Sequence, residues 1–434
     1  MTTFFPGYKF FSFRSGLQST SAFDEKIDLT FFASFADGVF LLFNYLLISR
    51  KRKLFKSFKP DLNWILLTIV VLLGAISSYF ASYPIYSFFI LYQLLKAFFM
   101  FVIFKELINK DANYLKSLIE IIGLFVTFNS ILILMQAFKG GPLGLPVEGV
   151  FGFKQFGDYT DEVFNLYRPG GMTTSPNEMA TVLAMFSPFF ICMSLVKKKK
   201  VFFNNGFMMM VAFLSIIAVF FTMARAVWIG LFFTILFIVI FIHKNDIAID
   251  IPEILFKSKR VLLAVCAILL PIGFLRLSTL KTTFVSSEGG WVYRLRHIQI
   301  AYNYMTHMPF GLGLDNFRYR LGFDYPSDYY LNDLTPPHNI LAQIGASFGF
   351  MGLIVWLAFF YRIISKGFSL IGKYRESNNI LLVLGSFSSV IMYLFVAQLH
   401  PWLIKKPIFY FFYLSLAILH SVGKLDAKNS QEKD

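Results

Sequence analysis

Apolar runs of bilayer length alternate with short polar connections along the 434 residues of this chain. About 20 apolar residues are needed for a helix to cross the hydrocarbon core. Eleven stretches fit: 28–49, 62–82, 84–108, 115–138, 176–196, 201–222, 225–242, 260–277, 338–364, 379–398 and 402–422. As one helix, the stretch 201–242 would run about 63 Å, twice the hydrocarbon thickness. It must fold back, and its only charge is Arg225, so the hairpin is placed there. The pattern predicts an all-α fold, a polytopic transmembrane helical bundle of about 11–12 spans. A single integral membrane domain over 1–434 carries a large extracytoplasmic loop between late helices, at 278–337.

Composition agrees. The chain is 56% hydrophobic and 15% charged, where a soluble protein carries roughly a quarter charged residues. The net charge of +15 does not point to nucleic acid, because the Lys and Arg residues cluster beside apolar spans. The basic groups are Arg50 to Lys59, Lys197 to Lys200, Lys257 with Lys259 and Arg260, and Lys366 with Lys373 and Arg375. All fall on one side if the spans alternate, and that side is cytoplasmic. The opposite, periplasmic side receives 140–175, the Arg225 hairpin, 278–337 and His400. The tail Lys424 to Asp434 is cytoplasmic. The N-terminus lies outside with eleven spans, and a twelfth before residue 28 would reverse only that end. Cys192 and Cys266 sit inside apolar runs and form no disulfide framework. Met1 to Phe13 lacks a signal-peptide core and cleavage site.

Four constellations could carry chemistry. In Arg168-Pro169-Gly170-Gly171-Met172, a tight outer turn presents Arg168, whose planar fork matches phosphate oxygens; pairing with Asp161 or Glu162 is the alternative. Ser175 and Glu178 have the spacing of a capping box with Pro176 at the first helical position. Asn177 lies between them as a binding candidate. Arg225 is the second centre, since an Arg among some 40 apolar residues needs water or a partner; a snorkelling anchor beside Trp228 is the other reading. The third joins Arg294-Leu295-Arg296-His297, on an amphipathic helix from about Trp291 to Met308, to Pro309-Phe310-Gly311-Leu312-Gly313-Leu314-Asp315-Asn316-Phe317. Arg294 and Arg296 add positive charge above the membrane or lie on a solvated face, and the glycines permit close approach or positive φ.

The fourth is Pro336-Pro337-His338-Asn339, then nine residues and Gly349-Phe350-Met351-Gly352. His338 is held where a polar loop meets an apolar helix, and imidazole serves as a base near neutral pH. Capping the helix is its structural alternative. Gly345, Gly349 and Gly352 have the spacing of small-residue helix packing. Asn339 and His400 are further binding candidates, His400 and Lys405-Lys406 against an anionic headgroup. Lys96 and Asp37, inside spans, could mark a polar path. No D-x-D triplet, Walker loop or HExxH occurs, which argues against a metal-held nucleotide sugar and leaves no metal or other cofactor to assign.

In their order and spacing, the Arg168 turn, the Arg225 hairpin, the Pro309 to Phe317 stretch and the His338 motif resemble the superfamily of O-antigen ligases, O-antigen polymerases and pilin oligosaccharyltransferases. The resemblance covers roughly 160–365, and the His338 pattern is nearest the ligases. Ala224 is a departure, because many relatives carry Ser before the hairpin Arg. The resemblance implies an inverting, metal-independent glycosyltransferase of the bacterial inner membrane, active at the periplasmic face. Its donor is a polyprenyl-pyrophosphate-linked glycan and its acceptor a glycan or lipid A-core. Arg168 and Arg225 would neutralise the leaving pyrophosphate, and His338 would take the acceptor's proton. A polymerase is the near alternative and a lipid or glycan transporter the distant one. Transport predicts two related halves with paired charges, and no such duplication is visible.

Overall fold

The computed structural model describes residues 62–145, 148, 160–161, 166–173, 175–196, 205–245, 247, 290–325, 336–375, 377, 379–400 and 406–431. The predicted spans 28–49 and 260–277 lie outside the described residues. So do Asp37, Lys405 and the basic groups at Arg50 to Lys59, Lys197 to Lys200 and Lys257 to Arg260.

The described chain is helical. In order run α1 (Leu62–Tyr79), α2 (Pro84–Lys110), α3 (Ala112–Lys139), α4 (Pro176–Ser194), α5 (Asn205–Phe221), α6 (Arg225–Lys244), α7 (Gly290–His307), α8 (Phe317–Asp324), α9 (Ile340–Lys373), α10 (Ile380–Ala397) and α11 (Lys406–Gln431). A two-residue antiparallel pair, β1 (Thr160–Asp161) and β2 (Leu166–Tyr167), leads into Arg168. Seven described helices are long and apolar enough to cross a membrane: α1, α2, α3, α4, α6, α9 and α10. α5 and residues Ile408–Val422 of α11 are shorter apolar helices. Each predicted span within the described residues therefore has a helix in its place.

The chain divides into two compact units. The first comprises Met1–Ile103, Ser287–Ile364 and Ala397–Phe409, the second Phe104–Ser286, Ser365–Val396 and Tyr410–Asp434. In the first unit, α1 is amphipathic in the sense proper to lipid. Leu62, Ile65, Ile69, Leu72 and Ile76 form an exposed apolar stripe, while Asn63, Leu67, Val70, Gly74 and Ser77 are buried opposite. With no water to drive apolar faces together, small residues make the contact instead. A Cβ on Gly74 would stand 2.8 Å from Leu91 and 3.1 Å from Phe348.

α9 is not one straight span. Gly349 adopts φ 72° and ψ −172° and breaks it. A helix break leaves the carbonyls of the preceding turn without intrahelical donors. Here the loop after α7 supplies them. The Leu312 amide donates to the Ala346 carbonyl at 2.8 Å and the Gly313 amide to the Ser347 carbonyl at 3.2 Å. The Ser77 hydroxyl also donates to the Ser347 carbonyl. The glycines are sterically required: a Cβ on Gly311 would meet the Ser347 carbonyl at 2.5 Å, and one on Gly349 the Pro309 carbonyl oxygen at 2.1 Å. Gly349 is thus a backbone docking point, not the helix-packing residue that its spacing suggests. Gly345 does pack, against Met305. Residues 345–349 have the G-x-S-x-G spacing, but Ser347 is buried inside a helix, not raised on a strand-to-helix elbow.

Residues 340–348 are largely buried, and Ala346 joins a cluster with Ile300, Ala301, Tyr304, Leu312, Phe317 and Leu321 from α7, its loop and α8. The stretch from 350 to Lys373 rises about 36 Å by itself, enough to cross roughly 30 Å of hydrocarbon. The span predicted at 338–364 accordingly begins near residue 350 and runs longer. The amphipathic helix predicted from about Trp291 to Met308 is α7.

In the second unit α4 and α10 are the buried helices. Gly385 brings α10 against α4, where its Cβ would lie 3.0 Å from Cys192 and 3.2 Å from the backbone of Phe189. Gly230 of α6 meets Met392, Phe395 and Val396 in the same way. α3 turns Ile121, Leu124, Phe128, Ile131, Met135 and Phe138 outward. It starts on Asp111, whose carboxylate accepts from the Asn113 amide, and stops on Gly140 at φ 71°.

Candidate functional site

The predicted residues divide between the units. Arg168, Asn177 and Arg225 belong to the second, and Arg294, Arg296, His338, Asn339 and His400 to the first.

In the second unit, Arg168 follows β2 and opens the Pro-Gly-Gly turn. The Thr173 amide and hydroxyl both donate to the Gly170 carbonyl, at 3.0 and 2.7 Å. Gly171 sits at φ 61°, and a Cβ on Gly170 would meet the Thr173 carbonyl oxygen at 2.5 Å. Arg168 Nη2 donates to Asn177 Oδ1 at 3.0 Å, and Nε to the Thr222 carbonyl at 3.2 Å. Thr222 begins the break between α5 and α6, where Met223 takes φ 56°. The hairpin predicted at Arg225 is therefore present, with Arg225 the first residue of α6. Arg168 ties this hairpin to the start of α4, so Asn177 orients Arg168. Ala224 makes no side-chain cap; its carbonyl accepts from the amides of Val227 and Trp228. Ser175 holds the N-cap position of α4 and Pro176 the first turn, but the Ser175 side chain makes no cap bond, so the capping box is incomplete. Pro176 already removes one of the donors a cap would satisfy.

A second layer, unforeseen in the sequence, holds the turn. Gln136, on the last turn of α3, is 0% exposed. Its Oε1 accepts from the Gly171 amide at 2.9 Å, and its Nε2 donates to the Gly171 carbonyl at 3.3 Å and to Glu148 Oε1 at 2.7 Å. Glu148 also accepts from the amides of Leu143, Gly144 and Leu145 at 2.7, 2.6 and 2.8 Å. Burial pushes the Glu148 pKa up, but these four donors outweigh it and hold the carboxyl below its ordinary value. Asn129 Oδ1 accepts from the Met172 amide at 3.2 Å.

In the first unit, His338 is half-buried one residue ahead of the cap of α9. Asn339 is that cap. Its Oδ1 accepts from the Ala342 amide at 3.0 Å, and its Nδ2 donates to the Gln398 carbonyl and Oε1 at 3.1 and 3.3 Å. Asn339 is thus engaged at both ends of its amide, and the cap position of α9 belongs to it rather than to His338. The ring of Tyr293 lies 6.1 Å from the ring of His338 and 4.1 Å from that of His297. His297 is 0% exposed and meets Phe317 at 5.5 Å. Tyr293 and His297 share a face of α7 at i, i+4 spacing. Arg296 donates to Gln299 at 2.9 Å along the surface of the helix, and Arg294 is half-buried beside Tyr293. His400, expected at an anionic headgroup, is 6% exposed.

The loop ends in an ion pair that sequence reasoning missed. Asp315, at φ 55° and 4% exposed, accepts through Oδ2 from Tyr86 at 2.7 Å and pairs with Arg318 at 3.0 Å. Arg318 also donates to Tyr86 and stacks over the Tyr86 and Tyr319 rings. Burial lowers the Arg318 pKa, but Asp315 and the two phenols overcome this and hold it above its ordinary value. Asn316 Oδ1 accepts from the Tyr83 amide at 2.8 Å, completing the pin between loop and α2. Lys96, predicted on a polar path, is buried with its ammonium 5.9 Å from the Tyr92 ring.

No curated protein matches the chain. Residues 210–357 match the family model described as O-Antigen ligase. The matched stretch takes in the hairpin with Arg225, all of α7 and α8, and the His338 start of α9; Arg168, Asn177 and His400 lie outside it. Over these residues, about a third of its length, the chain is similar to that family, and the matched stretch includes or adjoins helices long and apolar enough to cross a membrane.

Proposed function

We propose that the protein is an inverting glycosyltransferase of the bacterial inner membrane, moving a glycan from a polyprenyl-pyrophosphate carrier to an acceptor such as lipid A-core. The observation that carries this is the O-antigen ligase-like stretch, within which His338 stands just outside a helix that Asn339 already caps. Imidazole titrates near neutral pH and can accept the proton of an acceptor hydroxyl. The hydroxyl oxygen attacks the anomeric carbon, the bond to the pyrophosphate oxygen breaks, and the pyrophosphate leaves with the electron pair. Its growing charge is met by Arg168 and Arg225. A single displacement inverts the anomeric centre. The 278–337 stretch and the Arg168 turn face the periplasm in this reading.

Reconstituted in nanodiscs with a lipid-linked donor and lipid A-core, with EDTA present, the protein should yield core bearing the donor's glycan through an inverted linkage. Lengthened carrier-linked glycan with unmodified core would identify polymerisation instead. Movement of intact donor across the bilayer, with no new glycosidic bond, would identify a transporter.

A further inference from the structure

We propose that Gln136, held by Glu148, is a positioning residue that sets Arg168 for its work on the donor pyrophosphate; this rests on the reading of Arg168 given above. The Gln136 carboxamide pairs with both the amide and the carbonyl of Gly171, as a neighbouring backbone would. That fixes the peptide three residues after Arg168. Gln136 is in turn held by Glu148, whose carboxylate gathers the three amides following the end of α3. Asn129 clamps the next amide, at Met172. Arg168 is thereby constrained from two sides: its guanidinium by Asn177 and Thr222, its backbone by Gln136. Gly171 at φ 61° leaves the turn few alternatives while Gln136 is in place and several when it is not. Neither Gln136, Glu148 nor Asn129 touches the substrate in this scheme. A shift of about 1 Å in a charge-bearing group can cost on the order of 100-fold in rate, which is the route by which a remote amide would matter.

The test combines hydrogen exchange with kinetics on the full-length protein in nanodiscs. Gln136→Leu and the milder Glu148→Gln should both speed amide exchange in the peptide spanning Arg168–Thr173. Gln136→Leu should lower kcat roughly 10- to 100-fold with the acceptor KM unchanged. In an Arg168→Lys background, Gln136→Leu should cost less than about twofold more, because the group it positions is already lost. A full multiplicative loss in that background would overturn the proposal. Unchanged exchange in both variants would overturn it whatever the activity. Faster exchange together with normal turnover of Arg168→Lys would instead remove Arg168 from the reaction and leave the clasp as a purely structural device.

Discussion

Arg168 donates to two separate segments among the described residues, to the Asn177 side chain and to the Thr222 carbonyl. A lysine ammonium cannot reproduce both directions of a planar fork. Arg168→Lys should therefore lower kcat/KM by the equivalent of about 1.5–3 kcal/mol while the protein still inserts and purifies normally; a near wild-type value would make Arg168 a structural tie. Glu148 gives a pH signature. Its folded-state pKa is lowered, so the stability it adds is present above the ordinary carboxylate range and is lost as pH falls through the depressed value. Thermal unfolding in detergent from neutral to acid pH should show this loss in the wild type and less of it in Glu148→Gln. At this scale the sequence marked Arg168, Arg225 and His338 because charge and imidazole stand out against apolar surroundings. It did not mark Gln136, Glu148 or Asp315, whose roles depend in part on partners distant in the chain: Gln136 is 12 positions from Glu148 and 35 from Gly171, and Tyr86 is 229 from Asp315. That Asn339 caps α9 is not legible in the sequence, because a cap and a ligand look alike until the helix start is known.

Elements were legible where hydrophobic length alone decides them. The helix positions and the Arg225 hairpin follow from the limit that bilayer thickness places on an apolar run. The break in α9 was not legible, because Gly345, Gly349 and Gly352 carry equally well the spacing of a packed straight helix. What separates the readings is the loop after α7, which returns to donate to the Ala346 and Ser347 carbonyls. Gly349→Ala would place a Cβ 2.1 Å from the Pro309 oxygen at φ 72° and ψ −172°, a backbone region that costs a non-glycine residue about 1–3 kcal/mol by itself. We expect a lower unfolding temperature in detergent and loss of transfer. Gly372→Ala, with open space around its Cβ, should change neither. Equal behaviour of the two variants would mean that the break is not a fixed feature.

For the whole molecule, the membrane class was visible in composition and in the recurrence of apolar runs, while the division into two compact units was not, since each draws on three separate parts of the chain. Sidedness can be checked on Gly141 and Gly372 of the second unit, where a Cβ would meet no non-neighbouring atom within 4 Å among the described residues. With Cys192 and Cys266 replaced, Gly141→Cys should react with an impermeant thiol reagent added outside and Gly372→Cys should not; the opposite pattern would invert the membrane orientation. The proposed transfer turns most directly on His338 as its base. Turnover of a lipid-linked donor by wild type and by His338→Ala, measured in nanodiscs across pH, is the decisive measurement. Turnover should fall roughly 10²–10⁴-fold in the variant with donor binding retained, and the wild-type rate should decline on acidification, because imidazolium cannot accept a proton. A variant that turns over at the wild-type rate, or a wild type that speeds up in acid, would contradict the account.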